Sequence, residues 1–290
     1  MRISIVIATK DRAAYLERAL RSLDEQIGAP TFEIVVVDNG STDATRDVAE
    51  RASREGRVPV RYAYEAKPNR GKARNRGVEV AEGYLVLFCD DDVQTPPGFV
   101  AAHEAAHTTA GLVVNGPILN VSSFEERPRP TVANFSRAFL CTCNVSFPRS
   151  AFREAGGFDE DFDLYGWEDT ELGVRLRERG LRHKFAWDAY LWHIKPPAEN
   201  TLAIETRKAM EKARMAARFV HKQPSRRARL ATGAHAVNVW RGKYLMPDSL
   251  LAVFAGAASS TWLPGTLRAI AKAQFLDGMY TRELVRALEE

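Results

Sequence analysis

Cysteine is scarce in this 290-residue chain: Cys89, Cys141 and Cys143 are its three. An odd number, with two of them separated by one residue, excludes a disulfide framework and suits a reducing compartment. No second Cys or His pair stands near Cys141 and Cys143 at zinc spacing, so packing on one face of a strand is their expected role. Long apolar runs are missing as well. The longest, residues 249–263, is broken by Gly256 and several serines and is too short to span a membrane. Met1-Arg2 leads straight into a strand-like run, without the pattern of a secretory leader, so a cytoplasmic location is expected. No internal repeat or low-complexity segment is present, which excludes a repeat architecture. No Gly-rich phosphate loop lies near residues 7–12, which counts against nucleotidyl transfer from a triphosphate.

What is present is an ordinary globular composition, 45% hydrophobic and 27% charged, with an uneven charge distribution. Residues 1–200 hold 26 Lys and Arg against 30 Asp and Glu, whereas residues 201–290 hold 15 against 7. The two stretches are expected to be a main domain (1–200) and a basic, mostly helical extension (201–290).

β-branched and apolar runs at residues 3–8, 32–37, 58–64 and 84–88 read as buried strands. Between them, residues 12–26 space Ala13, Leu16, Ala19, Leu20 and Leu23 as a helix does, and Asn69-Arg70-Gly71 opens a second helix running to Ala81. This alternation predicts an open α/β sheet, and ligands of such sheets bind beyond the strands' carboxyl ends. Further on, residues 139–147 read as a strand and Glu168-Asp169 opens a helix stopped by Gly180.

Polar clusters fall at the predicted strand ends. Thr9, Asp11 and Arg12 follow the first strand, and Asp38-Asn39 follows the second. Asp38 reads either as an Asx turn or as an acceptor for the N–H of a nucleotide base. Arg70 and Arg74 share one face near a helix start, an arrangement suited to phosphate, next to Asn75. Asp90-Asp91-Asp92 end the fourth strand, where three adjacent anions repel one another. They read as a Mg2+ or Mn2+ diphosphate site, or as a solvated acidic turn. Glu168 and Asp169 are helix-capping carboxylates, or an acid-base pair beside the aromatic wall of Phe162, Tyr165 and Trp167. His103 and His107 make a His-Glu-x-x-His pattern without a third ligand, so a surface helix is expected there.

Six motifs in order now carry a resemblance. They are Ile5-Val6-Ile7-Ala8-Thr9-Lys10-Asp11-Arg12, Val36-Val37-Asp38-Asn39-Gly40-Ser41-Thr42-Asp43, Asn69-Arg70-Gly71-Lys72-Ala73-Arg74-Asn75, Phe88-Cys89-Asp90-Asp91-Asp92, Gly156-Gly157-Phe158-Asp159-Glu160 and Gly166-Trp167-Glu168-Asp169-Thr170-Glu171-Leu172. Over roughly residues 1–195 the chain resembles the inverting glycosyltransferases of family 2. The resemblance implies a GT-A fold: a Rossmann-like, mostly parallel central sheet flanked by helices, here with a C-terminal helical extension. It implies a nucleotide-diphosphate sugar as donor, a UDP-sugar by preference, and a glycan or glycolipid acceptor. Donor contacts would come from Thr9, Asp11, Arg12, Asp38, Asn39, Arg70, Arg74, Asn75, Asp90, Asp91 and Trp167. Asp92 and Asp90 would hold Mn2+ or Mg2+, with His193 as a third ligand or as a structural histidine. Asp169 would be the general base, with Glu168 bonding the acceptor. Ala8 departs from the family's usual Pro or polar residue, and the tail after about residue 200 is not covered.

The tail interleaves Arg207, Lys208, Lys212, Arg214, Arg218 and Lys222 with small and apolar positions. It reads as a solvated helical face, or as a peripheral contact with anionic lipid at the inner face of the membrane. Residues 249–263, with Phe254 and Trp262, read as an added interfacial apolar face, as core, or as an oligomer contact. Nucleic acid is not expected, because no reader motif accompanies the charge. The rivals to glycosyl transfer are a nucleotidyltransferase acting on sugar phosphates and a non-catalytic nucleotide-sugar binder.

Overall fold

A computed structural model describes residues 1–196 and 201–290. Two compact units emerge, Met1–Asp163 with Glu168–Pro197, and Leu164–Trp167 with Ala198–Glu290. In chain order the first contains β1 (Ile3–Thr9), α1 (Ala13–Asp24), β2 (Phe32–Asp38), α2 (Thr45–Glu55), β3 (Val60–Tyr64), α3 (Arg70–Val80), β4 (Leu85–Cys89), β5 (Val93–Gln94), α4 (Phe99–Ala106), β6 (Leu112–Asn115), β7 (Ile118–Val121), β8 (Asn144–Pro148), α5 (Arg149–Glu154), α6 (Glu168–Glu178), β9 (Arg182–Phe185) and β10 (Leu191–Ile194).

Seven strands form one sheet in the order β3-β2-β1-β4-β8-β6-β9. β1 to β4 are parallel, and β8 runs antiparallel to both β4 and β6. The mostly parallel GT-A-type sheet with flanking helices and a C-terminal helical region is therefore present. Alternate residues of the central strands enter two different cores, which is why the strands are apolar throughout. Ile3, Ile5 and Ile7 pack with Leu16, Leu20 and Leu23 of α1, whereas Val6, Val35 and Val37 pack with Ala73 and Val78 of α3. Phe88 anchors the second core against Phe147, Phe152 and Phe158, with ring centroids 5.9, 5.8 and 5.5 Å away. Truncating such a buried ring to alanine costs about 3–5 kcal/mol. Gly77 lets α3 lie flat on the sheet, since a Cβ there would meet Val6 Cγ1 at 2.4 Å and Val37 Cγ2 at 3.0 Å.

Three strands, β5-β10-β7, form a small second sheet. Its register pairs His193 with Val93, one residue past Asp92.

Two expectations fail here. The strand expected over 139–147 begins only at Asn144, so Cys141 and Cys143 lie in the turn that enters it. His103 is not on a surface: α4 turns it inward with no exposure, its Nδ1 2.9 Å from Ser146 Oγ and its Nε2 2.8 Å from Asn144 Oδ1. His107 Nε2 reaches the same Ser146 oxygen at 2.8 Å. Burial pushes His103 down to about 3 and His107 to about 4, so both rings are neutral hydrogen-bonding groups at neutral pH.

The second unit contains α7 (Leu202–Lys222), α8 (Arg226–Thr232), α9 (Ala236–Tyr244), α10 (Asp248–Ser259) and α11 (Gly265–Glu289). α11 packs on α7, α9 and α10. Ala213, Ala216 and Phe219 form the buried stripe of α7, while Arg207 and Lys212 stay exposed. Val253, Trp240 and Trp262 are 64%, 53% and 83% exposed, an unusual number of large apolar side chains facing solvent. Among the described residues no helix is long and apolar enough to cross a membrane.

Candidate active site

Register explains why the polar clusters meet. Thr9 pairs with Asp38, so β1 and β2 end at the same edge, and β4, parallel to β1, delivers Asp90 there. Asp11 takes a left-handed backbone conformation (φ 51), and its Oδ1 accepts the Thr42 amide at 2.7 Å. Its own amide donates to Ser41 Oγ at 3.0 Å, tying the loops after β1 and β2 together. The buried Asp38 carboxylate accepts from the Ser41 amide three residues on (2.7 Å) and from the Tyr62 hydroxyl (2.8 Å). Burial and then this hydrogen bond raise the Tyr62 pKa, keeping the phenol protonated. Asn39 Oδ1 accepts the Asn69 amide at 3.0 Å, fastening the entrance of α3 to the end of β2. The buried Thr9 hydroxyl makes no hydrogen bond of ordinary geometry among the described residues, although it lies near enough to Asp91 to favour that group's ionised form.

The Asp triplet splits into three environments. Arg12 Nη1 donates to Asp91 Oδ1 at 3.0 Å and to Asp92 Oδ2 at 2.6 Å. His193 Nε2 stands 3.1 Å from Asp92 Oδ1. Burial pushes Asp91 up to about 6. Burial works the same way on Asp92, but hydrogen bonds and charge from His193 and Arg12 outweigh it and hold Asp92 at about 2. Asp90 is contacted by Arg74 Nη2 at 3.4 Å.

Arg74 links the two acidic groups. Asn69 caps α3 by accepting the Lys72 amide at 2.9 Å, so Arg70 falls in the exposed first turn and Arg74 one turn deeper, buried. Its Nη1 reaches Glu168 Oε1 at 3.4 Å. Asp90, Glu168 and Asp169 together raise its pKa against the opposing effect of burial. Asp169, at the start of α6, is driven well above the usual carboxylate range, first by burial and then by repulsion from Glu168; Arg74 and Thr170 offset part of this. Glu168 Oε2 is buried without a hydrogen-bond partner among the described residues. Five carboxylates thus surround two guanidinium groups, leaving an excess of negative charge at the sheet edge.

The residues present fit a divalent cation. A carboxylate oxygen of Asp90, Cys143 Sγ and a ring nitrogen of His193 lie within 4.8 Å of one another. Ligand bonds of about 2.0–2.3 Å place donors up to about 4.6 Å apart across one ion, so small side-chain movements suffice. Asp92 is not one of these three: its Oδ1 lies 3.1 Å from His193 Nε2 and its Oδ2 accepts from Arg12 Nη1 at 2.6 Å. Cys143 was not a candidate from sequence. Only the β4–β8 pairing brings it here, and no local signal marks it.

Other expected site residues are engaged elsewhere. Both polar atoms of the Asn75 amide serve the 156–160 turn: Oδ1 accepts the Phe158 amide at 2.8 Å, and Nδ2 donates to the Phe158 carbonyl at 2.9 Å. Trp167 belongs to the C-terminal unit, where its indole N–H donates to the Lys212 carbonyl at 2.9 Å and its ring stacks on Phe219 at 6.0 Å. Its left-handed backbone conformation (φ 73) turns the ring that way. Phe162 is only 2% exposed, so the expected aromatic wall loses this member.

Comparison with known proteins agrees with this architecture. The family model for "Glycosyl transferase family 2" matches residues 4–155, and one described as "N-terminal domain of galactosyltransferase" matches residues 130–196. Validoxylamine A glucosyltransferase from Streptomyces hygroscopicus subsp. limoneus is 33% identical over 265 residues, covering 77% of this chain and 57% of its own length. The same enzyme from subsp. jinggangensis is also 33% identical, with 61% of its length covered. The chain therefore spans about three fifths of these relatives. Among solved structures, mannosyltransferase PcManGT from Pyrobaculum calidifontis, in complex with GDP-Man and Mn2+, aligns with a TM-score of 0.64 at 20% identity, covering 99% of this chain and 86% of its own. Residues 1–349 of TarS from S. aureus, in complex with UDP-GlcNAc, align with a TM-score of 0.56 at 20% identity, covering 99% and 92%.

Proposed function

This chain belongs to glycosyl transferase family 2, and we propose that it transfers a sugar from a nucleotide-diphosphate sugar, by preference a UDP-sugar, to the hydroxyl of a glycan or glycolipid acceptor, with inversion. Residues 1–200 carry the catalysis, and residues 201–290 form the extension. The observation that carries this reading is Arg74, which touches both the Asp90 and the Glu168 carboxylates and so joins two acidic groups 78 positions apart in the chain.

The roles follow from the environments. Asp169 is the general base: its raised pKa gives it the proton affinity to accept the acceptor hydroxyl's proton as that oxygen attacks the anomeric carbon. Glu168 orients the acceptor through its unpartnered oxygen. The base of the donor lies at the ends of β1 and β2, beside Thr9, Asp11, Asp38 and Asn39. Arg70, exposed on the first turn of α3, takes phosphate charge. Asp90, Asp92 and His193 hold Mn2+ or Mg2+. When bound, the cation neutralises charge on the departing diphosphate. Arg12 positions Asp91 and Asp92 by donating to both from one guanidinium nitrogen. The basic extension, with Trp240, Val253 and Trp262 exposed, meets anionic lipid at the membrane surface, which keeps the enzyme beside a lipid-linked acceptor.

A thermal-shift panel of nucleoside diphosphates with and without Mn2+ tests the proposal. A shift for UDP that requires the cation is expected. No shift with any diphosphate and cation, or pyrophosphate release from a triphosphate, would overturn it.

A further inference from the structure

The turn entering β8 carries a group the proposed reaction does not use. Cys89 of β4 pairs with Asn144 of β8 in antiparallel register. β8 therefore begins where β4 ends. The residue after Cys89 and the residue before Asn144 leave the sheet side by side: these are Asp90 and Cys143. From the small sheet, the pairing of His193 with Val93 brings an imidazole to the same place. The outcome is the Asp90–Cys143–His193 group already described, with a carboxylate oxygen, a sulfur and a ring nitrogen mutually within 4.8 Å. Cys143 is a free thiol, 7% exposed, and its approach is fixed at two points. On one side is the β4–β8 ladder. On the other, the next residue, Asn144, donates through Nδ2 to the carbonyls of Pro117 (3.2 Å) and Ala189 (2.8 Å), and its Oδ1 accepts from His103 Nε2. The sulfur is held facing the ligands instead of swinging on a loop.

An oxygen-only site with one imidazole accepts Mg2+ and Mn2+ readily, whereas a sulfur donor favours softer ions and is a poor ligand for Mg2+. We infer that Cys143 is a direct ligand of the cation site and sets its metal preference, toward thiophilic divalent ions and away from Mg2+. This inference rests on the proposed metal-assisted reading and adds to it a residue and a selectivity. As the sulfur–metal bond forms, the thiol proton leaves to solvent, so the ligand is the thiolate.

Cobalt(II) titration of the full chain, with UDP present, tests the proposal by absorption spectroscopy. The expected result is visible d–d bands together with a near-ultraviolet thiolate-to-cobalt charge-transfer band. Cys143→Ser should remove the charge-transfer band and retain the d–d bands; Cys141→Ser should retain both. By calorimetry, the ratio of Cd2+ to Mg2+ affinity should fall by at least about tenfold in Cys143→Ser, the scale on which losses around metal sites are felt. Cobalt binding without a charge-transfer band in the wild type would overturn the inference while leaving the metal-assisted reading intact. No binding of Co2+, Mn2+ or Mg2+, with or without UDP, would overturn both. Absence of the charge-transfer band in the wild type overturns the inference even if Cys143→Ser does not fold.

Discussion

Two buried polar groups meet at the start of strand β8, one on the strand and one at the turn before it, and their needs are met differently. Around Ser146 the accounts close. The hydroxyl sits between His103 and His107, His103 reaches Asn144, and Asn144 reaches two carbonyls. Every polar atom named has a partner inside the chain, and neither histidine carries charge at neutral pH. In the turn just before the same strand, Cys143 stands beside Asp90 and His193, in a site that has more carboxylates than guanidinium groups and whose buried Glu168 Oε2 has no hydrogen-bond partner among the described residues. A satisfied network of this kind rigidifies a core. An unsatisfied one has a use for something the chain does not supply. The contrast is one of surroundings: His103 and His107 face neutral partners, whereas His193 stands beside the Asp92 carboxylate.

The largest effect expected from testing this contrast is on catalysis. Asp169→Asn should lower transfer by about 10²–10⁴-fold, the range of general-base contributions, with UDP affinity nearly unchanged in calorimetry. Retained turnover would remove Asp169 from the base role. Asp92→Ala should weaken Mn2+-dependent UDP binding by about 10–100-fold, as losses around metal sites do. The same measurement on Ser146→Ala should show no change, and equal losses in both would erase the distinction between the two groups.

The satisfied network should reveal itself in stability instead. His103 has a folded-state pKa below its unfolded value, so as pH falls the unfolded chain takes up the proton first. Its contribution is unaffected above about 6.5 and is lost progressively as pH falls from there toward about 3. At pH 5 the loss amounts to about 2 kcal/mol for this ring, readable as a falling urea midpoint. Midpoints that stay level between pH 7 and 5 would contradict its burial in the neutral form. The smallest effect is that of Ser146→Ala at neutral pH, about 1–3 kcal/mol for stranding buried ring nitrogens. Denaturation should show it while turnover per folded molecule is unchanged.

Much of the frame was legible in sequence because it rests on local pattern. The β-branched runs gave the central strands, and the carboxylates that follow them marked the sheet edge where those strands end. Asn69-Arg70-Gly71 opened α3 as expected, with Asn69 as its cap. What escaped depended on distant partners. His103 looked like surface because Asn144 and Ser146, some forty residues later, are what draw it inward. Cys143 looked like packing because its nearness to Asp90 depends on which way β8 runs. Trp167 sits beside Glu168 in sequence, yet its backbone conformation sends the indole to Lys212 and Phe219.

The missing side chain at Gly77 also acts at a distance. One helical turn separates it from Arg74, so the depth to which this part of α3 sinks onto the sheet decides where the guanidinium arrives. Any bulk at position 77 would work as a shim, lifting the rod and drawing its cationic arm out from between Asp90 and Glu168. A single hydrogen in place of a methyl thereby sets how far one cationic side chain can reach between two acidic groups that lie far apart along the chain.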